Sequence, residues 1–208
     1  MASKYSTTIE ELHENTSHSI ILKNIKPNSS ILECGSSSGY MTQYMKEKLN
    51  SDVYIIEMNK DDYDEAIVYA KDGICANLEE DAWDDYYANK KFDYILFADV
   101  LEHLRDPQNV LKKATKFLKY DGTIITSIPN IAHSDILINL LNNRWNYTPT
   151  GLLDNTHIHF WAEKNLKELF TSVNLAIVKK DYTIQPAYCT EQKSRDINKD
   201  FVPAIYEV

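Results

Sequence analysis

Two stretches of this sequence carry residue types whose spacing suits ligand chemistry. In ILECGSSSG, residues 31–39, two apolar residues lead to an acid at Glu33, and Gly35 and Gly39 bracket a serine run that includes Ser36 and Ser37. Beyond Gly39, the apolar positions Tyr40, Met41, Tyr44, Met45 and Leu49 recur at helical spacing. The pattern predicts a strand, a tight glycine turn and a helix. Such a turn lets the backbone approach a ligand closely, and the helix start presents unpaired N–H groups. The second stretch is VYIIEMN, residues 53–59, a strand ending in an acid at Glu57 with Met58 beside it. Glu57 lies 18 positions past Gly39. In dinucleotide-type folds an acid about 20 residues beyond the glycine turn holds ribose hydroxyls, because a carboxylate accepts from two neighbouring hydroxyls at once. The plain alternatives are an ordinary βα loop and a solvated strand-end acid, so the order of the other elements must decide.

That order alternates strand and helix. Residues 7–25 read as one or two helices with Leu12, Ile20, Ile21 and Ile25 toward the core, and His13 and His18 are expected on a solvated or packed helix face. Pro27 and Asn28 break the chain before the first strand. After the second strand, Asn59 can cap a helix with Asp61 and Asp62 in its first turn. A short strand, GICAN, reaches Asn77, and FDYILFAD, residues 92–99, is a nearly continuous apolar strand of the buried parallel kind. Asp106 and Pro107 mark a helix start whose Val110, Leu111, Ala114, Phe117 and Leu118 face the sheet. Tyr120-Asp121-Gly122 reads as a turn, TIITSIPN as a fifth strand, SDILINLLNNRW as an inserted amphipathic helix, AEKNLKELFTSVN as a last helix and LAIVKKDYTI as a further strand. FVPAIYEV reads as an edge strand or a docking tail. The alternation predicts an α/β fold with a doubly wound sheet, in one domain spanning 1–208. Its parts are an N-terminal helical lid (1–26), a Rossmann-like core (27–184) and a C-terminal strand or tail (185–208).

Composition narrows the class of function. A chain of 208 residues, 43% hydrophobic and 25% charged, has ordinary globular proportions and room for a sizeable core. No apolar run approaches a transmembrane helix, and MASKYSTTIEEL lacks the apolar centre of a signal peptide, so a soluble cytoplasmic protein with no membrane insertion is expected. Cys34, Cys75 and Cys189 are widely spaced and form no CxxC pair, which fits free thiols in a reducing compartment. A net charge of −9 argues against a broad nucleic-acid surface.

Taken together, ILECGSSSG, IIEMN, FDYILFADVLEHL and LKYDGTIITSIPN resemble, in their order, the Class I S-adenosylmethionine-dependent methyltransferases. The later SIPN and GLLDNTHIHFW are similar to methyltransferase domains that accompany glycosyltransferases in bacterial surface-polysaccharide synthesis. The chain departs from the family pattern at Ser37, where a central glycine is usual, and at Asn77, where aspartate is usual. The resemblance implies a mainly parallel seven-stranded sheet with an insertion after strand 5. It implies S-adenosylmethionine as cofactor and S-adenosylhomocysteine as product. Glu33, Gly35, Ser36, Ser37 and Gly39 would hold the methionine end, Glu57 and Met58 the ribose region, and Asn77 with Leu78 the adenine. Asp99 would face the cofactor's amino group or the substrate.

The sulfonium methyl group is already activated, so the protein mainly aligns a nucleophile for in-line attack. The expected acceptor is a hydroxyl of a small polar or sugar-containing compound, whose proton must be taken by a histidine or weakened by a cation. Candidate bases are His103, His157 and His159. Asp99, Glu102, His103 and His157 are also similar to the divalent-metal pattern of small-RNA 3′-terminal ribose 2′-O-methyltransferases, with an aspartate in place of the first glutamate. Two rival readings stand beside these. A nicotinamide-binding domain would share the role of Glu57, although the GxxxG spacing and ADVLEHL favour methyl transfer. A non-catalytic adaptor resembling the MetW family would keep the cofactor pocket without the chemistry.

Overall fold

The computed structural model describes residues 16–80, 82–183 and 190–192. Five strands form one sheet in the order β3-β2-β1-β4-β5, every neighbouring pair parallel. They are β1 Ser30–Cys34, β2 Asp52–Glu57, β3 Asp72–Cys75, β4 Phe92–Ala98 and β5 Leu118–Ser127. The central three are the apolar runs seen in the sequence, and Ile31, Leu32, Ile55, Ile56, Ile95, Leu96 and Phe97 are fully buried. Burial on both faces is what a parallel sheet covered by crossover helices requires. The chain order turns back between β1 and β4, so the carboxyl ends of those two strands flank the topological switch where such sheets bind ligands.

Short helices make the crossovers. They are α2 Tyr40–Glu47, α3 Lys60–Ala66, α4 Ala82–Tyr86 and α5 Pro107–Thr115, and a further helix, α1 Ser17–Lys23, precedes β1. The caps are those the sequence signals: Asn59 Oδ1 accepts from the N–H groups of Asp61 at 2.9 Å and Asp62 at 3.2 Å, and Asp106 Oδ1 accepts from Asn109 at 3.0 Å. The acidic and aromatic stretch before β4 has its own logic. Trp83 and Tyr87 are fully buried, Trp83 Nε1 donates to the Leu78 carbonyl at 2.8 Å, and the Tyr87 hydroxyl donates to the Ile55 carbonyl at 3.0 Å.

The chain resolves into two compact units, Met1–Ser127 and Ile128–Val208. The first holds the sheet. The second holds α6 Ser134–Leu141 and α7 Glu163–Ser172, with isolated bridges joining Asn130 to Trp161 and Thr148 to Asp154. Within it, residues 190–192 are tied down by Thr190 on Asp135, by Glu191 on the Leu152 N–H at 2.6 Å, and by Gln192 on Asn139 at 3.4 Å.

Several expectations need correcting. The sheet has five strands among the described residues, not seven. LAIVKKDYTI forms no strand over residues 175–183. The expected turn at Tyr120-Asp121-Gly122 lies inside β5 as a bulge: Phe92 pairs with Leu118 and Tyr94 with Thr123, so the residues between are pushed outward and Tyr120 is fully exposed. Leu12, His13, Cys189 and FVPAIYEV lie outside the described residues.

Candidate active site

The glycine turn joins β1 to α2 and is built from left-handed backbone. Gly35, Ser37 and Gly39 have φ of 75°, 48° and 86°. A side chain at Gly39 would place its Cβ 2.6 Å from the Ala66 Cα, so this glycine also lets α2 pack directly on α3. At Gly35 a Cβ would meet Val100 Cγ2 at 2.7 Å, which sets the turn against the chain leaving β4. Ser37 supplies the conformation usual for glycine at a cost of order 1 kcal/mol for a non-glycine residue. Ser36 is buried, and its hydroxyl oxygen has no hydrogen-bond partner among the described residues.

Two carboxylates brace this turn. Glu57, at the end of β2, accepts from the Ser37 N–H at 2.9 Å through Oε2 and from the Asn59 N–H at 2.8 Å through Oε1. It therefore fixes the turn and the start of α3 together, and Met58 beside it is 71% exposed. Glu33 lies inside the sheet, and Thr42 Oγ1 donates to its Oε2 at 2.6 Å. Burial raises the Glu33 carboxyl to about 8, against the Thr42 hydrogen bond and with a further push from Glu57. After β3, Asn77 Oδ1 accepts from the Glu79 N–H at 2.9 Å, forming a local turn, and Leu78 is buried.

At the carboxyl end of β4, Asp99 has φ of 53°, an uncommon backbone state for a non-glycine residue. Its N–H is shared between the Ser127 carbonyl at 3.2 Å and the Ser127 hydroxyl oxygen at 3.1 Å. The same hydroxyl donates to Asp99 Oδ1 at 2.8 Å, while His18 Nε2 lies 3.3 Å from Oδ2. The other His18 nitrogen, Nδ1, is hydrogen-bonded to the hydroxyl of Tyr40, the first residue of α2. Burial pushes the Asp99 carboxyl up, but the His18 hydrogen bond and charge, the Ser127 hydroxyl and the charge of His103 outweigh it and hold the group below its usual range.

The first unit thus gathers Glu33, Gly35, Ser36, Ser37, Gly39, Glu57, Met58 and Asp99 at the carboxyl ends of β1, β2 and β4. Glu102 and His103 follow on a 3-10 turn, Leu101–His103, with Glu102 buried and His103 half-buried. His157 belongs to the second unit, where its N–H donates to the Asp154 carbonyl at 3.0 Å and its ring meets Phe160 edge-on. His159 stacks on Trp161 at 5.0 Å and 9°, so one face of that indole is already covered. The residues expected for a cation draw on both units, and within the first the Asp99 oxygens are engaged by His18 and Ser127.

Sequence reasoning missed His18, Tyr40 and Ser127 as site residues. His18, expected on a solvated or packed helix face, has its Nε2 3.3 Å from Asp99 Oδ2. Only the position of Tyr40, directly after the glycine turn, is a signal visible in the sequence.

The family model described as a methyltransferase domain matches residues 4–180. The chain belongs to this methyltransferase-domain family. Among curated proteins it is similar to the ubiquinone biosynthesis O-methyltransferase of Actinobacillus pleuropneumoniae, 27% identical over 107 residues, or 48% of this chain and 45% of that one. The chain thus aligns with about half the length of this curated relative. Among solved structures, it is similar to a chain in the Haloferax volcanii complex that contains the Trm112 methyltransferase activator. That match has a TM-score of 0.64 and 13% identity, covering 86% of this chain and 75% of the other. The plantazolicin methyltransferase BpumL in complex with SAH gives a TM-score of 0.55 at 19% identity, covering 76% and 60%. The YcgJ protein from Bacillus gives 0.56 at 17% identity, covering 77% and 68%. These likenesses show the shared fold.

Proposed function

We propose that the protein transfers the methyl group of S-adenosylmethionine to a hydroxyl of a small polar or sugar-containing acceptor. The observation that carries the cofactor assignment is the braced glycine turn: left-handed backbone at Gly35, Ser37 and Gly39, with Glu57 at the end of the next strand. The residues present fit the cofactor. The buried Ser36 hydroxyl lacks a partner among the described residues and can pair with a polar group entering the turn. The oxygens of Glu57 each retain acceptor capacity for a ribose hydroxyl, and exposed Met58 offers an apolar surface beside them. The depressed Asp99 carboxyl stays ionised and suits the cofactor's ammonium group. Asn77 and Leu78 would border the adenine, and Glu33 would act from beneath by fixing β1 to α2 through Thr42.

When bound, the cofactor supplies an activated methyl group; the chain's residues orient the acceptor and take its proton. A hydroxyl acceptor is supported by the O-methyltransferase name of the curated relative and by a histidine–aspartate pair beside the glycine turn. In the second unit, Trp145 and Tyr147 are partly exposed and meet Phe160, giving an aromatic surface suited to a sugar face or a flat ring.

The test is transfer from methyl-labelled S-adenosylmethionine to a panel of sugar nucleotides, catechols, amines and thiols. Labelled ether products are expected, with none on nitrogen or sulfur. Transfer confined to amines or thiols contradicts the acceptor class.

A further inference from the structure

We propose that His18 is the proton acceptor of the transfer, set in place by Asp99 and reached through the Tyr40 hydroxyl. The proposal rests on the hydroxyl-acceptor reading above. Its basis is a continuous line of polar atoms within the first unit, from Ser127 Oγ through the Asp99 carboxylate and both nitrogens of His18 to the Tyr40 oxygen. The Tyr40 and Asp99 members of the line adjoin the glycine turn in the chain or through a neighbouring residue. Tyr40 directly follows Gly39, and Val100, the neighbour of Asp99, packs against Gly35.

The direction of each hydrogen bond follows from the donor inventory. An ionised carboxylate only accepts, so the neutral imidazole carries its hydrogen on Nε2, toward Asp99 Oδ2 at 3.3 Å. Nδ1 is then a lone pair, and the Tyr40 hydroxyl must donate to it. The phenol oxygen is left as an acceptor for one further hydroxyl. This is the order of a serine–histidine–aspartate triad with a tyrosine at its head.

The transfer balances along this line. The acceptor oxygen bonds to the methyl carbon as the carbon–sulfur bond breaks, its electron pair remaining on sulfur. The acceptor's proton passes to the Tyr40 oxygen while the Tyr40 proton passes to His18 Nδ1. The phenol begins and ends neutral, in keeping with its environment: burial, then the charges of Glu33 and Asp99, push its ionisation far above the usual range. The resulting imidazolium stands beside Asp99 and returns its proton to water, because the His18 side chain is 29% exposed.

A histidine that merely tethers α1 to β4 would leave different signatures. First, nitrogen NMR on histidine-labelled protein reads the neutral tautomer directly, with no acceptor required. His18 is expected as the Nε2–H form in wild type, and Asp99→Asn is expected to lose that preference. An Nδ1–H tautomer in wild type overturns the proposal. Second, on the hydroxyl compound that wild type methylates best, His18→Ala is expected to lower kcat by about 100-fold or more, the range of general-base catalysis. Affinity for S-adenosylhomocysteine should stay within about twofold, and added imidazole should restore part of the rate. Tyr40→Phe should lose a similar factor, and the double variant no more than either single one, as residues acting in one relay are non-additive. His18→Gln serves if His18→Ala fails to fold. Unchanged kcat in the His18 variants, or loss without imidazole rescue and with matching loss of S-adenosylhomocysteine affinity, overturns the relay. Wild-type transfer to no hydroxyl in the panel overturns the underlying acceptor reading, and the proposal with it; S-adenosylhomocysteine affinity would report separately on the cofactor assignment.

Discussion

Ser37 occupies a left-handed backbone position where the resembling family uses glycine, and its N–H holds Glu57 at 2.9 Å. Ser37→Gly keeps that N–H and relieves about 1 kcal/mol of backbone cost, while adding about 0.4–1 kcal/mol of unfolded-chain entropy. Urea denaturation should show stability within about 1 kcal/mol of wild type, and cofactor affinity should persist; the β-branched Ser37→Val should destabilise clearly. Glu33 makes the opposite kind of statement. Its carboxyl, raised by burial to about 8, holds a proton in the folded chain at pH values where the unfolded chain, near the ordinary 4.5, has released it. The folded state therefore binds more protons between these limits, and this group's contribution to stability falls as pH rises from about 4.5 to 8. Glu33→Gln carries no such proton, so its stability relative to wild type should improve between pH 5 and pH 8.5. Denaturation midpoints at the two pH values check this, and a constant difference contradicts it.

Among the elements, the join of α2 to α3 is the most exacting. Gly39 combines φ of 86° with a Cβ position 2.6 Å from the Ala66 backbone, so Gly39→Ala should cost roughly 2 kcal/mol or more, read as a fall in thermal midpoint. The elements that were legible beforehand were those with a local cause. Apolar runs marked β1, β2 and β4, and Asn59 and Asp106 announced their helices through caps that the structure retains. Elements decided by neighbours were not legible. Tyr120-Asp121-Gly122 carries turn chemistry, yet pairing of β5 with β4 on both sides absorbs it as a bulge. LAIVKKDYTI has strand-like composition, but composition supplies no pairing partner, and residues 175–183 are not in a strand. The candidate site divides the same way. The turn and Glu57 are a local motif at a fixed spacing. The His18–Asp99 contact joins residues 81 positions apart and depends on how α1 lies over the sheet.

At the scale of the whole molecule, the methyltransferase-domain match spans residues 4–180 and so runs through both compact units. No helix among the described residues is long and apolar enough to cross a membrane. The charge of −9 sets the glycine turn, with Glu57 and Asp99 beside it, in an acidic chain that suits a ligand carrying an ammonium group better than a dinucleotide with its pyrophosphate. Titration calorimetry with S-adenosylhomocysteine, with NAD as the control and Glu57→Ala as the variant, measures this directly. Wild type should bind S-adenosylhomocysteine and prefer it to NAD. Glu57→Ala should bind it about 5- to 150-fold more weakly, the equivalent of roughly 1–3 kcal/mol for a buried hydrogen-bonded group left unpaired. Tighter binding of NAD, or unchanged S-adenosylhomocysteine affinity in Glu57→Ala, would contradict the assignment of this turn as a methyl-donor site.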